Sequence, residues 1–124
     1  MKTLKFIAAV CALFMTMACN GKKNALIVFF SHAGDNYSVG NISVGNTKII
    51  ADYISELTGA DQFEIKTDKY DGMAYRPLCD LAKKEQQEGM LPEFEGSVDV
   101  SGYETIFIGG PVWWGTYPQV MFTF

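Results

Sequence analysis

Two segments of the sequence carry side chains that could bind an anion and a flat ring. The first combines Ser31 with the tripeptide Gly45-Asn46-Thr47, which leads directly into a stretch of helical periodicity. Hydroxyl groups, together with the free N–H groups and positive dipole end of a helix start, can hold a phosphate without Lys or Arg. The alternative is that Asn46 or Thr47 only caps the helix and the Gly-rich stretch only connects two elements.

The second segment runs from Gly109 to Pro118 and contains the adjacent tryptophans Trp113 and Trp114. Glycines on either side of the pair permit unusual backbone angles and a close approach of peptide groups to a ligand. Two neighbouring indoles in a Gly/Pro-rich loop expose costly surface unless they cover something flat and apolar. The alternative is that both tryptophans pack on neighbouring helices.

The remaining motifs and side chains give weaker indications of a function. The sequence has no Gly-x-x-x-x-Gly-Lys-Ser/Thr and no Gly-x-Gly-x-x-Gly, which argues against a P-loop or a dinucleotide-binding site. The lone His32 has no identifiable partner, so we expect a solvated loop histidine and assign no catalytic residue. Cys79 is expected to be a small helix residue, and with Cys11 and Cys19 it defines neither a disulfide framework nor a zinc site.

The periodicity predicts alternating strands and helices that would position both segments. Strands are expected at 25–30, 61–65 and 103–108. Helices are expected between Asn46 and Gly59, over 77–88, and from Pro118 onward. This β-α-β-α-β-α order predicts an α/β fold with a parallel sheet covered on both faces. Ligands then bind beyond the carboxyl ends of the strands, in the loops after the first and third strands.

The first segment resembles the phosphate loop of the flavodoxin family. That loop reads approximately Ser/Thr-x-Ser/Thr-Gly-x-Ser/Thr directly after the first strand. Here the pattern is split: Ser31 supplies its start and residues 45–47 its end, with residues 32–44 inserted as in a subgroup of exported and bacterial flavodoxin-like proteins. A contiguous match over residues 31–36 is poorer, because Ala33 and Asn36 replace hydroxyl residues.

The second segment resembles the loop after the third strand in the same family, which in several subgroups reads Gly-x-Pro-x-Trp-x-x-x-x-Pro. That loop lies against the isoalloxazine ring of FMN. The resemblance implies that Pro111, Val112, Trp113, Trp114 and Gly115 contact the ring, with one indole stacked on it or shielding its edge.

The resemblance implies an FMN-binding protein for electron transfer or flavin-dependent redox chemistry, serving a redox partner protein or a small-molecule electron acceptor. Alternatives are an NAD(P)H-dependent quinone or flavin reductase, and a non-catalytic surface lipoprotein or truncated remnant without flavin. The formal net charge of −4 argues against a nucleic-acid partner.

Residues 1–18 are typical of a bacterial lipoprotein signal peptide. Lys2 and Lys5 precede an apolar run, which ends at Ala18-Cys19. This pattern resembles a lipobox, although Thr16 stands in place of the usual Leu. We expect lipidation at Cys19, a linker over 19–24, the domain over 25–124, and a location anchored to the cell envelope. The alternatives are an ordinary secretory peptide with a chance cysteine, or an uncleaved anchor.

A complete flavodoxin sheet has five strands in the order 2-1-3-4-5. The sequence supplies three of them, so we expect a domain truncated after the third strand and the start of the third helix. The third strand would then form an open apolar edge. We expect such a chain to hold FMN weakly.

Overall fold

The computed structural model of the chain describes residues 23–124. The predicted signal peptide and the lipidation residue Cys19 lie outside the described residues. Within the described part, no helix is both long and apolar enough to cross a membrane.

A strand buried on both faces lies at the centre of the sheet. The last five residues of β1 (Lys23–Phe29) are buried, as its apolar and β-branched run predicts. β1 pairs in parallel with β4 (Asp61–Glu64) on one side and with β5 (Tyr103–Gly109) on the other. The three-stranded parallel sheet, in the order β4-β1-β5, confirms the predicted α/β fold. β1 begins at Lys23, inside the predicted linker.

Helices cover both faces of this sheet. Successive side chains of β1 point to opposite faces, and since all of the buried ones are apolar, each face packs against a helix. On one face, Ala51 of α1 (Asn46–Thr58) packs with Ala25, Ile27 and Phe29. On the other face lie α2 (Tyr75–Glu88) and α3 (Gln119–Thr123). Leu78 of α2 and Val120 of α3 pack there with Leu26 and Val28 of β1.

The apolar stripe of α1 predicts the helix correctly but does not identify the face that is buried. The stripe consists of five apolar residues at helical spacing, namely Ile49, Ile50, Tyr53, Ile54 and Leu57. All of them except Ile54 are exposed. The helix instead meets the sheet through Ala51, which is buried, and through the half-buried Ile54. Gly59 ends α1 as predicted, in the left-handed conformation at φ 71°.

The outer edge of β5 is open. Within residues 23–124, β5 pairs with β1 alone. Ile108, near the end of the strand, is 57% exposed. The open apolar edge expected for the third strand is therefore present in the described part of the chain.

A buried carboxylate joins α2 to the loop after β4. Glu85 is fully buried, and its Oε2 accepts a hydrogen bond of 2.8 Å from the Tyr70 hydroxyl. Its Oε1 lies 2.6 Å from the Lys69 ammonium. Burial of the Tyr70 side chain raises its pKa, and the hydrogen bond to Glu85 raises it further. A buried charge needs such partners, because losing one leaves the other uncompensated.

Tyr70→Phe is expected to lower the free energy of unfolding by about 1.5–3 kcal/mol, because it removes a hydrogen bond to a buried charged group. The matched control is Tyr103→Phe, which removes a hydroxyl–carboxylate bond of the same 2.8 Å length to Asp61 at an exposed site. We expect the control to cost much less. Urea denaturation of both variants measures this difference, and equal losses would contradict the account.

Candidate functional site

The strand order brings the loops after β1 and β5 side by side. From β1 the chain crosses to β4 on one side, then returns to β5 on the other, so the carboxyl ends of β1 and β5 form a topological switch point. The register aligns Phe29 with Gly109. The backbone N–H of Phe30 donates to the Gly109 carbonyl at 3.1 Å. The two loops therefore start at the same level.

The two ends of the split motif meet at the start of α1. The Ser31 hydroxyl oxygen accepts a hydrogen bond of 3.0 Å from the backbone N–H of Lys48. Gly45 packs so closely that a Cβ there would lie 2.1 Å from the Ser31 oxygen and 2.8 Å from the His32 carbonyl oxygen. Only glycine fits this position. The split pattern predicted from the sequence is thus a continuous surface in space.

This surface offers hydrogen-bond donors. Because the Ser31 oxygen accepts from Lys48, the hydroxyl hydrogen remains free to donate to another group. Asn46 and Thr47 are the first two residues of α1. Their N–H groups have no intrahelical acceptor at a helix start, and the helix dipole is positive there. The start of α1 therefore suits an anion.

The inserted residues 32–44 form structure of their own, where the sequence predicts only a loop. β2 (Gly34–Asn36) and β3 (Gly40–Ile42) pair as a short antiparallel hairpin. An Asp35 carboxylate oxygen accepts a hydrogen bond of 2.9 Å from the backbone N–H of Tyr75, which fastens the hairpin to the start of α2. The ring of Tyr37 also lies 6.0 Å from that of Tyr75. The hairpin is therefore held by tertiary contacts.

A cavity of about 670 Å³ lies between the hairpin, α2 and the loop after β5. Its volume falls in the range of small-molecule sites. Aromatic rings line it from three elements: Tyr37, Tyr75, Trp113 and Trp114. Charged groups line it as well, namely Asp35, Arg76 and Asp80.

The structure divides the predicted site residues into two groups. Five line the cavity: Asn46, Pro111, Val112, Trp113 and Trp114. The other four are Ser31, Gly45, Thr47 and Gly115. The first three lie at the start of α1, where the Thr47 methyl group approaches Gly109. Gly115 lies beside Trp114 in the turn between Trp113 and Thr116.

Trp113 is tied to the hydrophobic core. Its ring lies edge-on to Tyr70 at 5.1 Å and to Phe30 at 5.5 Å. It also lies edge-on to His32 at 5.8 Å. Since Trp113 is half-buried and also borders the cavity, it presents a fixed aromatic wall there.

Trp114 lies along α2 and is 51% exposed. Its indole N–H donates to the Cys79 carbonyl at 2.9 Å, and the Lys83 ammonium lies 5.0 Å from its ring centre. The backbone is left-handed at Trp114 (φ 53°) and at Gly115 (φ 83°). Positive φ is unusual for a residue with a bulky side chain. Reciprocal backbone hydrogen bonds between Trp113 and Thr116 hold this turn.

The interpretation of His32 as a solvated residue is wrong. The side chain is only 9% exposed, because Trp113 and the inserted segment enclose it. Within the described part of the chain, no group hydrogen-bonds to its Nε2. Burial lowers the pKa of His32, although Asp71 and Asp35 act in the opposite direction. His32 also lines the cavity, and a lone histidine in a polar loop gave no signal of this in the sequence.

Cys79 lies on α2 and is half-buried, in agreement with the expected helix residue, and it forms no disulfide within residues 23–124. It also borders the cavity. Between residues 23 and 124, no group of three or more His, Cys, Asp or Glu side chains is arranged to hold a metal ion.

The Flavodoxin family model matches residues 36–124 of the chain. The chain therefore belongs to the flavodoxin family, as its two loop motifs predict. The match begins at the last residue of β2, so it does not include β1 or Ser31. The position of β1 is given by its register with β5, and that of Ser31 by its hydrogen bond to Lys48. No curated protein and no solved structure gives a significant match to the chain.

The burial of His32 predicts a pH dependence of stability. Its folded pKa lies below the ordinary value of 6.5, so the unfolded chain binds the proton first as the pH falls through that value. The His32 contribution is therefore present above pH 6.5 and is lost below it, towards the folded pKa. We expect the free energy of unfolding to fall more steeply for the wild type than for His32→Gln between about pH 7.5 and about pH 5. Parallel pH profiles would contradict this.

Proposed function

We propose that the chain binds FMN and works in electron transfer or flavin-dependent redox chemistry. The observation that carries this proposal is the convergence of two unlike surfaces at the carboxyl ends of β1 and β5. One is the donor-rich start of α1, and the other is the aromatic loop after β5. A ligand with a phosphate at one end and a planar ring at the other matches both.

The residues at the start of α1 fit the phosphate. The Ser31 and Thr47 hydroxyls and the N–H groups of Asn46 and Thr47 would supply donors in a region of positive dipole. Gly45 keeps this approach free of a side chain, since a Cβ there would fill the space beside Ser31. These groups bind an anion through hydrogen bonds and the helix dipole.

The residues after β5 fit the ring. Pro111, Val112, Trp113 and Trp114 border a cavity of about 670 Å³ with apolar and aromatic surface. Trp113 is positioned by the core, so little conformational entropy is lost when a ring packs against it. Gly115 contributes through its backbone, by permitting the turn that orients Trp114.

FMN, when bound, would supply the capacity to accept electrons and pass them on. The chain would orient the ring and set the charge around it. Asp35 and Asp80 border the cavity and disfavour added negative charge on a neighbouring ligand, whereas Arg76 acts in the opposite direction.

An electron carrier and an NAD(P)H-dependent reductase share these features. Steady-state NAD(P)H oxidation with a quinone acceptor distinguishes them, because only the reductase turns over.

The phosphate assignment predicts a difference between FMN and riboflavin. Thr47→Val removes a hydroxyl at the start of α1 and should weaken FMN binding by roughly 10- to 100-fold, the effect of one hydrogen bond to a charged group. Riboflavin binding should change little. The matched control is Thr58→Val, the same substitution at the opposite end of the helix. Fluorescence titration gives all affinities, and equal losses for the two flavins would exclude a phosphate contact at Thr47.

We also propose that the protein is exported and anchored to the cell envelope through a lipid on Cys19. Support comes from the basic start, the short apolar run and the Ala18-Cys19 pair. Labelled palmitate should enter the protein when it is expressed in bacteria, and Cys19→Ala should abolish the label. Cys11→Ala is the matched control and should retain it. Undiminished labelling of Cys19→Ala would refute lipidation at this residue.

A further inference from the structure

The Nε2 atom of His32 is a buried polar atom with no hydrogen-bond partner among residues 23–124. The side chain that carries it is 9% exposed. Buried polar side-chain atoms are nearly always satisfied, so an orphaned one in a native fold requires an explanation. The backbone around it is well connected, since the Asn36 amide donates to the His32 carbonyl at 3.1 Å. The segment is therefore held in place while the imidazole tip is left unpaired.

The His32 side chain lies at the wall of the large cavity. A Cβ placed on Gly34, at the start of the hairpin, would lie 3.7 Å from Nε2. The edge-on ring of Trp113 packs against the imidazole, with 5.8 Å between ring centres. Both His32 and Trp113 line the cavity. The imidazole therefore lies beside the aromatic surface that Trp113 contributes to the cavity.

We propose that His32 is a ligand-binding residue of this cavity, whose Nε2 makes a hydrogen bond to the heteroaromatic ring of the bound flavin. The inference rests on the proposed function and adds a polar contact to a site otherwise defined by aromatic packing. A neutral imidazole donates from one nitrogen and accepts at the other, and the ring edge of a flavin carries both carbonyl and N–H groups. Burial, which lowers the pKa of His32, favours that neutral form.

A competing partner for Nε2 is water. His32 also borders a second cavity of about 310 Å³ at the carboxyl end of β4, lined by charged side chains that include Lys66, Asp68 and Asp71. A water held there would satisfy Nε2 without any ligand. A contact with the flavin ring and a contact with water differ in one respect: only the first makes flavin affinity depend on Nε2.

The test compares His32→Leu with His32→Gln. Glutamine places an amide nitrogen near the position of Nε2, whereas leucine fills similar space without a polar group. His32→Leu should bind both FMN and riboflavin roughly three- to tenfold more weakly, the effect of one hydrogen bond between neutral groups. His32→Gln should stay within about twofold of the wild type for both flavins. Fluorescence titration gives the dissociation constants, and a thermal melt checks that each variant is folded.

The outcomes separate this inference from the proposed function. If the wild type binds flavin and His32→Leu binds it equally well, the ring contact is refuted while the proposed function stands. A loss seen with FMN but not with riboflavin would also refute it, by placing His32 at the phosphate. If the wild type binds neither flavin, both proposals fail.

A second measurement decides the case even if His32→Leu does not fold. In wild-type protein labelled with ¹⁵N, riboflavin should shift the Nε2 resonance of His32, because its hydrogen-bonding state changes. An Nε2 resonance unmoved at saturating riboflavin would overturn the proposal.

Discussion

The parallel pairing of β1 with β5 is the constraint on which the site depends. Side chains of β1 pack against α1 on one face and against α2 and α3 on the other, so shifting the register by one residue would exchange the two sets between the faces. The register sets Phe29 beside Gly109, and the two following loops leave the sheet together. A surface that suits an anion and a surface that suits a ring are thereby placed next to each other.

Two further contacts convert this placement into a defined site. The first is the close approach of Gly45 to Ser31, which joins the loop after β1 to the start of α1 and leaves space for no side chain. The second is the docking of Trp113 on Phe30 and Tyr70, which fixes an aromatic wall from the core outward. The inserted hairpin closes the third side through Asp35 and the start of α2. Each wall is therefore fixed before a ligand arrives.

Local patterns predicted the elements well and the tertiary contacts poorly. Strand β1 and the end of α1 at Gly59 are each determined by a few residues that are adjacent in the sequence, so a local pattern predicts them. The hairpin does not, because its three-residue strands are held by α2 rather than by alternating apolar residues. The burial of His32 and of Glu85 likewise depends on residues distant in sequence, Trp113 for the first and Tyr70 for the second. The residues next to His32 and Glu85 in the sequence therefore give no indication that these two side chains are buried.

The most direct test of the account is a map of backbone amide chemical shifts during a titration of the ¹⁵N-labelled protein with FMN. We expect the largest changes in two separate segments, at Asn46 and Thr47 and at Val112 to Trp114, saturating at the same FMN concentration, because one ligand would contact both loops. Changes confined to one segment, or saturating at different concentrations in the two, would contradict the claim that these loops form a single flavin site.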